Sequence, residues 1–394
     1  MDEGSWHVIY LDANATTRPA EGVLSALVDG STRLMGNPSS AHLLGREAAR
    51  AIDLARESIS LRLGSDDHRV VFTSGATESN NLAIHGLWAT TRSMVTPRNT
   101  VLVGATEHPS VMEPIKALEK QGAIVKTVPV DSTGQVQPEV LKKLLNDQVL
   151  LVAVMVANSE TGVISPVRAL AKASHEVGAW FLTDATQAVG KIPVSAAEFD
   201  VDLMSISAHK FYGPKGVGAL LLRRSLRLGP QMLGGGQQQG QRSGTFNTAG
   251  IVGMAAACDL IPGLLEGASE VKRLRDYFWS SLERNISGLV LNGSGAPRLP
   301  NTANIHFPGC DAEALMAGMP DVACSAGTAC HAGAPEPSQV LLAMGLSREA
   351  AGESLRFSLC ADTTQEDVEI AVRRVVDAVK YLQEISDRGE RIRG

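Results

Sequence analysis

A lysine suited to covalent chemistry with a carbonyl group lies in the segment Ser207–Gly216, which reads Ser-Ala-His-Lys-Phe-Tyr-Gly-Pro-Lys-Gly. The segment follows a short apolar run, so Lys210 is expected at the end of a strand, directly after His209. Burial or a neighbouring cation at such a place lowers the pKa of an amine and makes it a nucleophile for a Schiff base. Lys215 is a rival, but its position within the Gly/Pro turn predicts a solvated side chain.

Two other polar turns also follow apolar runs. Phe72–Glu78 combines small residues with the start of a helical pattern, where free backbone N–H groups suit a phosphate. An ordinary capped turn explains that segment equally well. Asp184 follows the apolar run Trp180–Thr183, and a buried aspartate needs a cationic partner such as a protonated pyridine nitrogen. A helix N-cap is the simpler interpretation of Asp184.

A cysteine suited to nucleophilic chemistry lies in Ser325–Gly333, among small and polar residues. A cysteine kept for packing is more typical of branched apolar surroundings. Cys330 is therefore a candidate nucleophile, and His331 beside it would favour the thiolate unless it is simply a solvated loop histidine. Cys324 is expected to be a small buried residue, with a resolving thiol for Cys330 as the alternative.

Composition limits the protein class. The 394 residues suit two packed domains, and a net charge of −6 gives no general electrostatic reason to bind nucleic acid or a membrane surface. The first seven residues show no signal-peptide pattern, and no apolar stretch has the length of a membrane span. The five scattered cysteines show no metal-ligand spacing and indicate reduced thiols, so a cytoplasmic location is expected.

The elements that must position these residues alternate along the first two thirds of the chain. Because most of the apolar runs are continuous, both faces of the sheet should be covered. We therefore predict an α/β fold with a mainly parallel, seven-stranded sheet flanked by helices. The predicted strands are Arg69–Phe72, Thr100–Val103, Ile124–Val128, Val149–Val156, Trp180–Thr183, Leu203–Ile206 and Gly218–Leu222. Helices are predicted at Val111–Gln121, Pro138–Leu145 and Ala169–Val177.

A smaller α+β domain is expected after residue 250. It would contain a long helical stretch, Ile251–Ile286, and short strands at Leu289–Leu291, Ala303–Phe307 and Leu355–Leu359. Thr364 and Asp367 form a capping-box pattern before a final helix. We predict a large domain of residues 16–260 and a small domain of residues 1–15 and 261–394, which would carry the Cys330 loop.

Taken in order, the motifs resemble those of NifS/IscS-type cysteine desulfurases, which are class-V aminotransferases of pyridoxal-phosphate fold type I. The resemblance covers nearly the whole chain. Its segments are YLDANATT at 10–17, GNPSS at 36–40, FTSGATESNN at 72–81, ATEHPSV at 105–111, ANSETGV at 157–163, DATQAVGK at 184–191, SAHKFYGPKGVG at 207–218, RSGTFNT at 242–248, AGTACHAG at 326–333, EPSQVLLAMG at 336–345 and SLRFSL at 354–359.

The resemblance implies a role for each matching residue. Lys210 would hold pyridoxal phosphate and move the α-proton of the substrate, Cys330 would take the sulfur, and His108 would stack on the ring and assist proton transfer. Arg356 would clamp the substrate carboxylate, with Asn158 nearby.

The resemblance also implies the contacts of the cofactor. Asp184 would pair with the pyridine nitrogen and Gln187 would donate to the phenolic oxygen. Thr245 would reach the phosphate from a neighbouring subunit, which implies a homodimer. The implied cofactor-binding residues are Lys210, Ala76, Thr77, His108, Asn158, Asp184, Gln187, Ser207, His209 and Thr245; no metal ligand is expected.

The implied reaction converts L-cysteine to L-alanine and leaves a persulfide on Cys330 for a protein acceptor. Selenocysteine lyase and a class-V aminotransferase or β-lyase remain alternatives, and so does a sulfur-relay scaffold without catalysis. The sequence leaves open the final acceptor, the preference for cysteine or selenocysteine, the role of Cys324 and transient binding of an iron–sulfur cluster.

Overall fold

The structure is a computed structural model that describes residues 8–92, 98–327 and 336–393, with side chains described as far as residue 385. The strands in chain order are β1 (Ile9–Tyr10), β2 (His68–Thr73), β3 (Thr100–Gly104), β4 (Ile124–Val128), β5 (Val149–Ala153), β6 (Trp180–Asp184), β7 (Leu203–Ser207), β8 (Gly218–Arg223), β9 (Val290–Leu291), β10 (Thr302–His306), β11 (Val322–Ala323), β12 (Ser325–Ala326) and β13 (Ser354–Ser358).

Helices alternate with these strands. In chain order they are α1 (Glu21–Thr32), α2 (Leu43–Arg62), α3 (Ala76–Thr91), α4 (Pro109–Glu119), α5 (Pro138–Leu144), α6 (Val167–Glu176), α7 (Ala196–Phe199), α8 (Thr248–Asp259), α9 (Ile261–Asn285), α10 (Ala312–Ala317), α11 (Gln339–Ala343), α12 (Arg348–Gly352) and α13 (Gln365–Arg393). Two 3-10 turns, Ala208–Lys210 and Gln238–Gly240, lie outside them.

A seven-stranded sheet forms the centre, in the order β2-β8-β7-β6-β5-β3-β4. Its neighbouring strands are parallel, except that β8 runs antiparallel to both β2 and β7. Successive residues of a strand pack into clusters on opposite faces, as Phe181 and Leu182 do in β6. Two covered faces explain why the strands read as continuous apolar runs, and the predicted mainly parallel sheet is confirmed.

Strand β5 ends at Ala153, three residues before the predicted end. Beyond it, the backbone N–H of Met155 donates to the Glu107 carboxylate at 2.8 Å. The N–H groups of Val154 and Val156 still donate to the Leu182 and Asp184 carbonyls of β6, so the chain loses its ladder to β3 but stays beside β6 as it approaches the candidate site.

The long helical stretch predicted at Ile251–Ile286 is two helices rather than one. Helices α8 and α9 meet at Leu260 with a bend of 53°. Pro262 in the first turn of α9 explains the break, because proline suits a helix start and disrupts a helix interior. Within the described residues, no single helix has the length and apolarity to cross a membrane; α8 and α9 meet those limits only when joined, despite their bend.

A second, smaller core surrounds a four-stranded antiparallel sheet in the order β12-β13-β10-β9. Strand β1 pairs with β11 in parallel and adds Ile9 to the same apolar cluster. The cluster is separate from those of the large sheet, which supports the domain division that we propose at residues 15/16 and 260/261. The predicted capping box is confirmed, since Thr364 Oγ1 accepts the N–H of Asp367 and the Asp367 carboxylate accepts the N–H of Thr364.

Candidate active site

A cavity of about 620 Å³ opens where the parallel strands end. Its walls come from the turns after β2, β3, β6 and β7, from the segment after β1 and from the middle of β13. This is the end of a parallel sheet at which α/β proteins bind their ligands. The residues proposed from the sequence that line it are Ala76, Thr77, His108, Asp184, Gln187, Ser207, His209, Lys210 and Arg356.

Lys210 lies in the 3-10 turn that follows β7. Its Nζ donates to the backbone carbonyls of Asn14 and Ala15, both at 2.7 Å. Burial and the nearby Arg356 guanidinium lower the pKa of Lys210 to about 8. A substantial fraction of the amine is therefore neutral near physiological pH, as a nucleophilic lysine requires.

Asp184 ends β6 and is buried. Its Oδ2 accepts from Asn80 Nδ2 at 3.0 Å and its Oδ1 accepts from the Thr186 N–H at 2.9 Å. No cation pairs with this carboxylate in residues 8–92, 98–327 or 336–385. A buried carboxylate without a cation, facing a cavity, is the partner that a cationic ligand atom needs.

His108 caps the N-terminus of α4, and its Nδ1 accepts the Ser110 N–H at 3.1 Å. Ser110 Oγ lies 2.8 Å from the same nitrogen and also accepts from Asn80 Nδ2 at 3.0 Å. Burial lowers the pKa of His108, although Asp184 opposes the effect. The ring is therefore neutral with its proton on Nε2, and Asn80 links it to Asp184.

An anion cradle lies at the start of α3. The first N–H groups of a helix have no acceptor within the helix, and Ala76 and Thr77 line the cavity there. Ser207 and His209 face the same space. Burial, with Lys210 and Lys215 nearby, lowers the pKa of His209 to about 4, so this imidazole is neutral.

Glu78, in the first turn of α3, is an acid that lines the same cavity. Its carboxylate accepts the Ser74 N–H at 2.7 Å and pairs with Arg242 at 2.7 Å. The guanidinium therefore offsets a negative charge that would otherwise oppose an anion.

Arg356 is the central residue of β13 and is buried. Its Nη2 pairs with Asp12 Oδ1 at 2.6 Å and its Nη1 donates to the Ser159 carbonyl at 3.0 Å. Each Nη atom carries a further N–H, so the guanidinium keeps donors for a carboxylate in the cavity.

Asn158 and Thr245 are not brought into this cavity. Asn158 Oδ1 accepts the N–H groups of Glu160 and Thr161, and its Nδ2 donates to the Thr106 carbonyl, so its amide organises the turn behind the wall. Thr245 is exposed, and its role toward a neighbouring subunit stays a prediction. Cys330 lies outside the described residues.

Cys324 is buried directly after β11, as predicted. Burial raises the pKa of its thiol to about 12. Such a thiol rarely forms a thiolate. The structure therefore supports a packing role for Cys324 better than a role as a resolving thiol.

Several functional partners were not assigned from the sequence. Asn14, Asn80, Ser110 and Lys191 all lie within segments that carry the family resemblance, but their contacts join parts of the chain that are far apart in sequence, such as Asn14 and Lys191. Their presence inside those segments was the available signal, and the partners themselves are defined only by the fold.

Comparisons with known proteins agree with this geometry. The sequence model described as aminotransferase class-V matches residues 9–370. A Dictyoglomus turgidum protein named cysteine desulfurase IscS is 42% identical over 383 residues, which is 96% of each chain. A solved NifS-like protein has 35% identity and a TM-score of 0.87, over 95% of this chain and 100% of its own. A structure titled SspA in complex with cysteine has 31% identity and a TM-score of 0.78, over 89% of this chain and 98% of its own.

Proposed function

The chain belongs to the aminotransferase class-V family as a cysteine desulfurase, and we propose that it moves the sulfur of L-cysteine onto Cys330 and releases L-alanine. The observation that carries this proposal is the convergence of Lys210, Asp184 and Arg356 on one cavity. They lie just after β7, at the end of β6 and within β13, and they offer a nucleophilic amine, a carboxylate without a paired cation and a carboxylate-binding guanidinium.

The side chains of the cavity fit pyridoxal phosphate. Lys210 would hold its carbonyl carbon, Asp184 its pyridine nitrogen and the start of α3, with Ser207 and His209, its phosphate. When bound, this cofactor supplies an electron sink for the negative charge that develops on the α-carbon of an amino acid. The buried Asp184 carboxylate favours a protonated ring nitrogen, which such a sink requires.

Arg356 would bind the α-carboxylate of L-cysteine. Asp12 and the Ser159 carbonyl hold the guanidinium in place, so little side-chain freedom is lost when the substrate binds. The neighbour solved in complex with cysteine supports an amino acid of this size as the ligand.

Two groups in the cavity can move protons at neutral pH. The Lys210 amine has a pKa lowered to about 8 by burial, so it can take and return a proton at the α-carbon. His108, with Nδ1 occupied by Ser110, offers Nε2 for proton transfer on the cavity side.

Cys330 would act as the sulfur nucleophile. Strand β12 pairs with β13, with Ser325 opposite Arg356, and the chain leaves this pair at Gly327. Cys330 is three residues further on, so its Cα atom can lie at most about 11 Å from the Cα atom of Gly327. Its thiolate would form a bond to the substrate sulfur while the carbon–sulfur bond breaks. The bonding electrons stay with the carbon, which takes a proton to become alanine.

The assembly and the destination of the sulfur belong to the same proposal. A homodimer would bring Thr245 of one subunit to the cradle of the other, and the persulfide sulfur would pass to a protein acceptor. A cytoplasmic location is supported by the cysteines of the described residues, Cys258, Cys310, Cys324 and Cys360, which are all unpaired and buried.

Paired cysteine variants test the nucleophile. We expect Cys330→Ala to keep the visible absorbance of bound pyridoxal phosphate and to lose at least about 99% of alanine formation from L-cysteine, because removal of a nucleophile typically costs 10²-fold or more. Cys324→Ala serves as the matched control and should keep most of the activity. Sulfur release at the wild-type rate by Cys330→Ala would overturn the assignment.

A further inference from the structure

The Lys191 amine is buried, and no step of the proposed reaction requires it. It lies after β6 and pairs with no carboxylate in the part of the chain that the structure describes. Burial is the main cause that lowers its pKa well below the ordinary range, and the cations Lys210 and Arg356 add to the effect. The titratable groups around it are these two and Cys360. Such a position costs free energy, so its contacts call for a functional explanation.

The Lys191 amine makes two hydrogen bonds. It donates to Gln187 Oε1 at 2.6 Å and to Asn14 Oδ1 at 3.0 Å. The Asn14 side chain is fixed in turn, because its Nδ2 donates to the Ser159 carbonyl and to Thr302 Oγ1. The amine therefore connects Asn14, which is anchored to β10 through Thr302, with Gln187 in the cavity wall.

These contacts determine which end of the Gln187 amide is which. The Asn14 carbonyl can only accept, and the Gln187 atom 2.8 Å from it must be the nitrogen. The other end of the amide, beside Lys191, is then its oxygen, which accepts from the lysine amine. With its oxygen occupied, Gln187 retains one unused N–H, and it lines the cavity.

We propose that Lys191 is a positioning residue that holds the Gln187 amide with its nitrogen toward the cavity. Gln187 can then only donate to a ligand oxygen, such as the negatively charged phenolic oxygen of pyridoxal phosphate. This inference rests on the proposed function and assigns a role to a residue that does not itself line the cavity. In its absence the buried amide oxygen loses its donor, and the amide rotates toward other partners.

A spectroscopic titration of the reconstituted enzyme tests this role. We expect Lys191→Met to raise the pH midpoint of the visible absorbance of bound pyridoxal phosphate by about one unit, a tenfold change in the equilibrium. The physical reason is that a weaker donor stabilises the phenolic negative charge less. Lys142→Met, which removes an exposed lysine paired with Glu139, should leave the midpoint unchanged.

A double-variant cycle shows whether Lys191 acts through Gln187. We expect Gln187→Ala to shift the midpoint by a similar amount, and Lys191→Met to add no further shift in that background. Lys191→Gln, which keeps a shorter donor, should retain more of the wild-type midpoint than Lys191→Met does.

Three results would overturn the inference: an unchanged midpoint in Lys191→Met, an undiminished shift in the Gln187→Ala background, or a shift in Lys191→Gln as large as in Lys191→Met. A direct effect of the lysine charge on the cofactor would give the second result. Absence of a visible band in the wild-type enzyme would contradict the proposed function itself, so the two failures are distinguishable.

Discussion

At Lys210 the fold combines two influences on one amine. Backbone carbonyls of Asn14 and Ala15 hold its position, while burial and Arg356 make its charge unfavourable. Asp184 ends β6, the strand beside β7, and its carboxylate accepts hydrogen bonds from Asn80 and Thr186. The site thus sets an amine that readily loses its proton against a fixed carboxylate, which is the pairing that its proposed cofactor needs.

The lowered pKa of Lys210 gives a pH prediction. For cofactor-free protein mixed with pyridoxal phosphate, we expect the rate of covalent capture to rise with pH through a midpoint near 8. The neutral amine is the reactive form, and its fraction grows as pH passes the pKa. Stopped-flow absorbance measures this rate. A midpoint near the ordinary lysine value of 10.5 would show that the cavity does not perturb the amine.

Individual site residues were largely predictable from the sequence because each lies in a recognisable motif, at a strand end for Lys210 and Asp184 and within a strand for Arg356. Lys210, Asp184 and Arg356 are all predicted by their sequence motifs, and all line the cavity. Their supporting contacts were not predictable. The hydrogen bond from Lys191 to Asn14 joins residues 177 positions apart, and nothing in local composition encodes such a pair.

Elements were predictable where their apolar patterns are long and covered on both sides. The strand predictions for β3, β6 and β7 agree with the structure within one residue, since these strands are buried on both faces and their apolar runs end at polar turns. The failures have tertiary causes. The Glu107 carboxylate accepts the Met155 N–H on the β3 side of β5, where regular pairing stops, and the bend at Leu260 divides one apolar pattern between two helices.

Strand β8 supports the anion cradle through a glycine. A Cβ at Gly218 would lie 2.5 Å from the Ile206 carbonyl oxygen and 2.6 Å from Gly75 Cα. Both neighbours are backbone, so the added atom must displace β7 or the turn before α3. We expect Gly218→Ala to destabilise the protein by about 1–3 kcal/mol and to weaken pyridoxal phosphate binding about tenfold or more.

Chemical denaturation and absorbance titration measure these two effects. Gly263→Ala in α9 is the matched control, since its Cβ meets nothing within 4 Å. It should be neutral or stabilising by up to about 1 kcal/mol, because alanine favours a helix more than glycine does. Equal cofactor affinity in Gly218→Ala and wild type would contradict the close contact between β8 and the cradle.

At the scale of the whole molecule, several large apolar side chains are exposed on the surface of a single chain. Leu233 is 84% exposed, Met35 73% and Val28 62%. Large exposed apolar groups favour protein–protein contact, which supports the proposed homodimer. No sequence pattern predicts this surface, because the exposure of these side chains depends on how α1 and the segment after β8 lie in the fold.

Mixed subunits test the shared site. Lys210→Ala and Thr245→Ala should each be poorly active alone. After the two variants are unfolded and refolded together, random pairing puts one subunit of each kind in half of the dimers. Each of these dimers has one intact site out of two, so about a quarter of wild-type activity should return. An assay of alanine formation measures the recovery. No recovery, with dimers confirmed by light scattering, would mean that Thr245 does not serve the neighbouring subunit.

The most direct test of the central claim is mass spectrometry of the enzyme after one turnover with ³⁴S-labelled L-cysteine in the absence of an acceptor. We expect the peptide that contains Cys330 to gain one labelled sulfur atom for each alanine released. Treatment with a thiol reductant should remove this sulfur. Alanine release with no label on Cys330, or with the label on Cys324 instead, would contradict the assignment of Cys330 as the residue that receives the sulfur.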